Sequence, residues 1–333
     1  MAYATIRDVA RLAGVSVSTV SRALNTKGRI SEHTKLVVEQ AMKELGYIPD
    51  SRAQAMRSSK TGTVGLLVPD IRNPYFADLA YTIQDALFGA GYCTFIGTSS
   101  ENADQQDSFI MSILSQRIDG AILVPQGGDS HALRLLIGRK LPLVFVDRQV
   151  EGLDTIPVVD SDPIPGLTEA LEDIRAHGCS KVGYVSGPVL ESPTLQEREY
   201  VFRELAAMAF GEDHVFVEST GFDQSSCVSV LRRMRRAGVG AVIFGYSPDA
   251  VRAVSLMHDN GIRVGLDISI VSFDDLEMFR LTSPHISVIS QQVRRIGAIG
   301  AQTFLDMVVG HGAAGSHRVE TTYIPRESVG RMR

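Results

Sequence analysis

After Gly62 the chain becomes a succession of short, almost wholly apolar runs: "TVGLLVPD", "YCTFIGT", "GAILVP", "LPLVFVD", "KVGYVSGP", "GAVIFGY" and "ISIVSFDD". Helix-patterned segments of roughly 10 to 15 residues separate them. A run this apolar has no polar face to offer water, so each reads as a strand covered on both sides. Alternation with helices makes the sheets parallel and doubly wound. Seven such units are too many for one mononucleotide-type sheet and indicate two similar subdomains.

The first 48 residues have a different texture. Ile6, Val9, Ala10 and Ala13 fall on one helical face, and Thr5 with Asp8 supplies a capping-box start. Gly14 breaks this helix and Ser16 opens a second. Its inward positions are Val20, Ala23 and Leu24, leaving Val17, Ser18, Ser21, Arg22 and Asn25 on the wettable side. A third helix is expected from about Glu32 to Leu45, capped by Ser31, with Val37, Val38, Ala41, Met42 and Leu45 as its apolar stripe and Gly46 as its stop. Pro49 ends this unit, and "DSRAQAMRSSKT" at 50–61 reads as a conditional hinge too short for a stable isolated helix.

Charge separates the two textures. The whole chain carries −5, but residues 1–60 hold ten Lys or Arg against five Asp or Glu, so +5 sits on the short segment and −10 on the rest. Two helices joined by the short turn "AGVS", the second presenting hydroxyls, an amide and one arginine but no acid, suit a helix-turn-helix in the DNA major groove. The other reading is a small helical bundle used for oligomer contact. Cys93, Cys179 and Cys227 are too few and too scattered for a disulfide framework or a metal site. The sequence contains neither a secretory leader nor a membrane-spanning run, so a cytosolic protein is expected. It also lacks GxGxxG after a strand, GxxxxGK[ST], HExxH, GxSxG and CxxC, and the adjacent Asp274 and Asp275 have no partner for acid/base chemistry, so no enzyme, metal or cofactor is expected. A sugar carrier remains the non-regulatory alternative and would need the missing leader.

"TIRDVARLAGVSVSTVSRALN" at 5–25 and "YIPDSRAQAMRSSKT" at 47–61 resemble the headpiece and hinge of the lactose-repressor (LacI) family of bacterial transcription regulators. The resemblance continues through "VGLLVPDIRNPYF", "VDRQV" and "ISIVSFDD". It implies an all-α helix-turn-helix headpiece at 1–49, a hinge at 50–61, and an α/β periplasmic-binding-protein-like core of two doubly wound subdomains at 62–333. The subdomains should comprise 62–160 with 290–317, and 161–289 with 318–330. A homodimer on a palindromic DNA operator, probing both half-sites, is implied, and the absence of a further heptad helix after "YIPRESVGRMR" favours a dimer over a tetramer.

Carried over by position, base readout falls to Val17, Ser18 and Arg22, with Arg22 the main reader and Val17 available to a thymine methyl. Backbone contacts fall to Ser16, Ser21, Asn25, Ser31 and Tyr47. In the hinge, Ala53 and Met56 belong to the DNA-facing set, Met56 standing where the family has a leucine that wedges into the minor groove; Arg52, Arg57 and Lys60 add phosphate attraction. The similarity to ribose-type periplasmic sugar-binding proteins implies an effector pocket of Asn73, Tyr75, Phe76, Asp147, Arg148, Arg198, Phe222, Tyr246, Asp274 and Gln291. Carboxylates there accept from sugar hydroxyls, guanidinium groups donate in forks and rings cover C–H faces. Two departures stand out: Tyr246 and Ser247 replace an Asn-Asp pair, and Val201 replaces a glycine. A ribose-related effector is expected, with a nucleoside or another small sugar as the alternative.

Overall fold

The computed structural model describes residues 4–24, 30–48, 60–188, 192–221, 224–310 and 315–331. Asn25, Ala53, Met56 and Phe222 lie outside these, as do Arg52, Arg57 and most of the 50–61 hinge. The chain divides into two compact units, Met1–Thr61 and Gly62–Arg333.

In the first unit, α1 (Ile6–Leu12) starts at the Thr5 cap, where the Thr5 N–H donates to Asp8 Oδ2 at 3.0 Å and the Asp8 N–H to Thr5 Oγ1 at 3.4 Å. Helix α2 (Val17–Leu24) begins where Ser16 Oγ accepts the Thr19 N–H at 3.1 Å. Helix α3 (Glu32–Leu45) is capped by Ser31 and stopped by Gly46 in the left-handed conformation (φ 59°). Val9, Ala10, Val20, Val38 and Ala41 are buried together, with Ala23, Leu24, Met42, Leu45 and Tyr47 packed around them. This matches the expected periodicity, except that Val37 is only half-buried and stands apart from that cluster.

The second unit begins with β1 (Thr63–Val68), α4 (Pro74–Gly89), β2 (Cys93–Thr98), α5 (Ala103–Ser115), β3 (Gly120–Leu123), α6 (His131–Gly138), β4 (Leu143–Val146) and β5 (Val158–Asp162). It then builds α7 (Ile164–Ala176), β6 (Val182–Pro188), α8 (Pro193–Phe210), β7 (Val215–Thr220), α9 (Gln224–Arg236), β8 (Ala241–Phe244), α10 (Ser247–Asp259), β9 (Ser269–Phe273) and β10 (Ser287–Ser290). Helix α11 (Val293–Val309) and β11 (His317–Glu320) return to the first sheet, and β12 (Thr322–Ile324) joins the second.

Strand order is β2-β1-β3-β4-β5-β11 in one sheet and β7-β6-β8-β9-β10-β12 in the other. All pairings are parallel except β10 with β12, which is antiparallel. The two sheets therefore repeat one winding, with β4 corresponding to β9. In each, the winding reverses between the second and third strands in this order, which opens a crevice beyond the carboxyl ends where ligands bind in such folds. Both faces of the first sheet are packed: Leu66, Val68, Val144 and Val146 face α4 and α11, whereas Leu67, Leu123 and Phe145 face α5 and α6.

All seven apolar runs are strands, but the expectation that each is covered on both faces fails at β2. This strand is at a sheet edge, and its Phe95 and Ile96 are exposed. An edge strand has a neighbour on one side only, so helix cover runs out there. The chain crosses between sheets after Asp162, after Ser290 and at Thr321. Residues 318–320 thus pair in the first sheet, where the sequence reading assigned them to the second subdomain. Polar residues in these crossing strands hid their pairing.

A charged group ties the sheets near these crossings. Arg318 on β11 donates from Nη2 to Glu197 on α8 at 2.9 Å and to the Ser161 carbonyl at 2.9 Å, and its Nε is 3.4 Å from Asp160 on β5. The Asp160 carboxyl is pushed up to about 6 overall: burial raises it most, Arg318 offsets part of that rise, and Glu197 and Asp147 add to it. Because the folded-state value is raised, the protonated form favours folding. That contribution is complete below about pH 4 and is lost as pH rises through about 6. Asp160→Asn should therefore raise the denaturation midpoint more at pH 8 than at pH 4, measured in urea at both; an equal effect at the two values would contradict the burial penalty. Close packing gives a second expectation. A Cβ at Gly120 would sit 2.4 Å from the Pro142 carbonyl oxygen and 2.5 Å from the Phe304 ring. Gly120→Ala should cost about 1–3 kcal/mol in the same assay.

Candidate functional site

Nine of the ten residues expected to form a pocket converge between the sheets. Asn73, Tyr75, Phe76, Asp147, Arg148, Arg198, Tyr246, Asp274 and Gln291 line one cavity together with Ser192, Thr194, Leu195 and Gly245. Its free volume is about 30 Å³, the space of about one water molecule. Any sugar-sized ligand would require the walls to part.

The cavity sits where the strand ends of both sheets meet. Asn73 follows β1 and caps α4, its Oδ1 accepting the Tyr75 N–H at 3.1 Å. Asp147 follows β4 and Asp274 follows β9, the corresponding strand of the other sheet. Both adopt left-handed backbone, with φ of 65° and 67°, which non-glycine residues rarely occupy. Strain at matched positions aims both carboxylates into the cleft.

Each carboxylate is held by donors from distant segments. Tyr75 donates its hydroxyl to Asp147 Oδ1 at 2.6 Å. Burial pushes the Asp147 carboxyl up, while Arg148, Arg198 and the Tyr75 hydrogen bond offset part of the shift. The Tyr75 hydroxyl is likewise held well above its ordinary value, by burial first and by the Asp147 charge next. Asp274 accepts from Gln291 Nε2 at 2.6 Å and from Ser247 Oγ at 2.6 Å. Ser161 Oγ on β5 donates to Gln291 Oε1 at 2.7 Å, so a hydrogen-bonded chain runs from one sheet to the other through the crossover residue.

The cationic wall is less fully used. Arg198 on α8 donates from Nη1 to the Gly245 carbonyl at 3.0 Å, and its guanidinium lies 4.5 Å from the centroid of the Phe273 ring. Its Nε, the Arg148 Nε and the Ser192 Oγ are buried without a hydrogen-bond partner. Such groups are costly to leave unmade. Tyr246 packs on Gly187, whose φ of 90° and missing side chain admit the ring; a Cβ there would sit 2.6 Å from the Tyr246 Cβ. Burial, with the nearby charges of Glu101 and Asp249, raises the Tyr246 hydroxyl to about 12.

Sequence reasoning missed Ser192, Thr194, Leu195 and Gly245, and also Glu101 and Gln126, which contact Arg148 from behind. Gly245 follows β8 and Glu101 lies just beyond β2, so the strand-end rule that selected Asp147 and Asp274 could have found these two. Nothing in the sequence singles out Ser192 or Thr194, which enter at the start of α8. Among the described residues, no group of three or more His, Cys, Asp or Glu side chains could hold a metal ion. None of the described helices is long and apolar enough to cross a membrane.

The outer side of α2 forms a second candidate surface. Val17, Ser18 and Arg22 are exposed, as are Ser16 before the helix and Ser31 before α3, whereas Ser21 and Tyr47 are half-buried. Arg22 folds along its own helix, donating from Nε to the Ser18 carbonyl at 3.2 Å. The helix start at Ser16 and the single arginine together present hydroxyls and one cation with no acid between them.

Both units of the chain match known proteins. Residues 5–50 match the model of the bacterial regulatory proteins of the lacI family, and residues 171–329 match that of the periplasmic binding protein-like domain. The ribose operon repressor of Bacillus subtilis (strain 168) is 31% identical over 329 residues, covering 98% of each chain. The HTH-type transcriptional repressor PurR of Aliivibrio salmonicida (strain LFI1238) is 28% identical over 309 residues, 92% of each. The lac repressor dimer bound to operator and the anti-inducer ONPF superposes with a TM-score of 0.85 at 22% identity, over 99% of this chain and 100% of that one. The relatives are transcriptional repressors rather than enzymes, and this chain belongs to the lacI family of bacterial regulatory proteins.

Proposed function

We propose that this regulator binds a palindromic DNA operator as a homodimer through α2 and is controlled by a ribose-type sugar taken into the cleft between its two sheets. The observation that carries the effector half is the pairing of Asp147 and Asp274 at matched strand ends, facing buried donors on Arg198 and Ser192 that lack partners. Carboxylates that accept and a guanidinium that donates are what a ring of hydroxyls needs. The name of the Bacillus subtilis relative supports ribose. The Tyr246 ring, half-buried in the cleft wall, favours a second reading in which a flat base stacks there, as in a nucleoside.

Control follows from linkage. A ligand that binds the closed cleft better than the open one shifts the core toward closure, and the free energy of that preference is available to the DNA-binding unit. A few kcal/mol of differential affinity suffices to move a two-state equilibrium most of the way. Operator binding also places the protein in the compartment that holds the chromosome.

On the DNA side, Arg22 must leave the Ser18 carbonyl to reach a base, and it is the α2 side chain with the longest reach. Arg22→Ala should cost about 1–3 kcal/mol and flatten preference at one base pair per half-site, scored by binding to operators mutated base by base. An unchanged preference profile would remove Arg22 from base readout. On the ligand side, calorimetric titration with ribose, uridine and a hexose panel should give heat with ribose. Arg198→Ala should weaken that binding by at least about tenfold. Heat with uridine alone would select the nucleoside reading, and heat with none of the pentose compounds would eliminate both.

A further inference from the structure

Arg148 lines the cleft, yet three of its five N–H donors are committed elsewhere. Nη1 donates to Glu101 Oε2 and to Gln126 Oε1, both at 2.7 Å, and Nη2 donates to Glu101 Oε1 at 2.9 Å. This fork is shielded from water, the side chains being 3% and 16% exposed. Glu101 reaches it from the loop after β2, where Ser100 and Glu101 hold consecutive positive φ values of 51° and 56°. Two non-glycine residues in that region are strained unless the surroundings fix them. Gln126 is fixed as well, its N–H donating to Gln106 Oε1 at 2.7 Å and its carbonyl accepting from Gln106 Nε2 at 3.1 Å. Burial alone would lower the Arg148 pKa, but the hydrogen bonds and charge of Glu101 turn the net shift upward.

We propose that Glu101 is a specificity-determining residue: it fills the anion-binding fork of Arg148, so that the cleft selects neutral polyhydroxy effectors and rejects phosphorylated or carboxylated ones. The inference rests on the effector-site reading above. Among the described residues, three carboxylates, Asp147, Asp274 and Glu101, stand in and behind the cleft against two guanidinium groups, Arg148 and Arg198. An entering phosphate meets this negative surplus. To reach the Arg148 fork it must displace Glu101 and leave that carboxylate shielded without a partner, which is strongly unfavourable. Two Arg148 N–H groups remain, one on Nε and one on Nη2; Nε has no hydrogen-bond partner and lies 3.6 Å from Asp147 Oδ2, so an anion approaching this side meets a second carboxylate, whereas a hydroxyl oxygen does not suffer that repulsion.

The test uses the full-length protein, its Glu101→Gln and Glu101→Ala variants, and the double variant Glu101→Ala with Arg148→Gln. Inorganic phosphate is titrated by thermal shift at constant ionic strength, and ribose and ribose 5-phosphate are titrated by calorimetry. Phosphate should leave the unfolding midpoint of the unmodified protein unmoved, raise that of both Glu101 variants, and lose this effect in the double variant. The unmodified protein should prefer ribose over ribose 5-phosphate by at least about tenfold, and the variants should narrow or reverse that ratio. Equal or tighter binding of ribose 5-phosphate by the unmodified protein would overturn the proposal, as would Glu101 variants that gain no phosphate response. If neither sugar gives heat with the unmodified protein, the ribose reading fails while the phosphate arm still decides the role of Glu101. If the variants do not fold, the ratio measured on the unmodified protein decides it alone.

Discussion

Two carboxylates withheld from water, Asp147 and Asp274, govern how the rest of the core is arranged. A buried charge is tolerated only when donors surround it. Those donors come from segments far apart in the chain: the Tyr75 hydroxyl from α4, the Gln291 amide from the crossover before α11, and the Ser247 hydroxyl from the start of α10. The sheets supply fixed strand ends, the left-handed turns after β4 and β9 aim the acids inward, and the helices that cover the sheets deliver the donors. The apolar packing of both sheets thereby acquires a polar centre whose geometry is set before any ligand arrives.

Much of this was legible in the sequence because the signals were strong and local. The Thr5–Asp8 box, the Ser31 cap and the Gly46 stop are short-range chemistry, and the helices begin and end where those residues stand. The apolar runs marked the central strands β1, β3, β4, β6, β8 and β9, and the edge strand β2 with them, because a strand buried on both faces carries few polar residues. Strands β5, β7, β10 and β11 escaped notice because they are amphipathic or short; β5 reads "VVDSD", with Ser161 spent on the Gln291 bridge and Asp160 facing Arg318. In β5 and β11 the polar residues bridge the two sheets, Ser161 to Gln291 and Arg318 to Glu197, and this dilutes the hydrophobic signal.

The cleft shows a similar division. Residues at the ends of central strands could be named from position, since chain order alone brings them to one edge of the sheet. Ser192, Thr194 and Glu101 depend instead on how α8 starts and how the loop after β2 bends, which are matters of tertiary geometry. Arg148 illustrates the difference: its place in the cleft wall follows from "VDRQV", but its pairing with Glu101 across 47 positions of chain appears only once the two loops are folded side by side.

The three crossings between the sheets, after Asp162, after Ser290 and at Thr321, also have a mechanical consequence. A single tether would let two bodies swivel, slide or twist. Three tethers at the neighbouring, mutually paired strands β5, β10, β11 and β12 resist shear and torsion, leaving bending about one shared line as the softest motion. Such a joint turns whatever occupies the cleft into one angular coordinate, and it discards the chemical detail of the occupant before any distant surface can sense it.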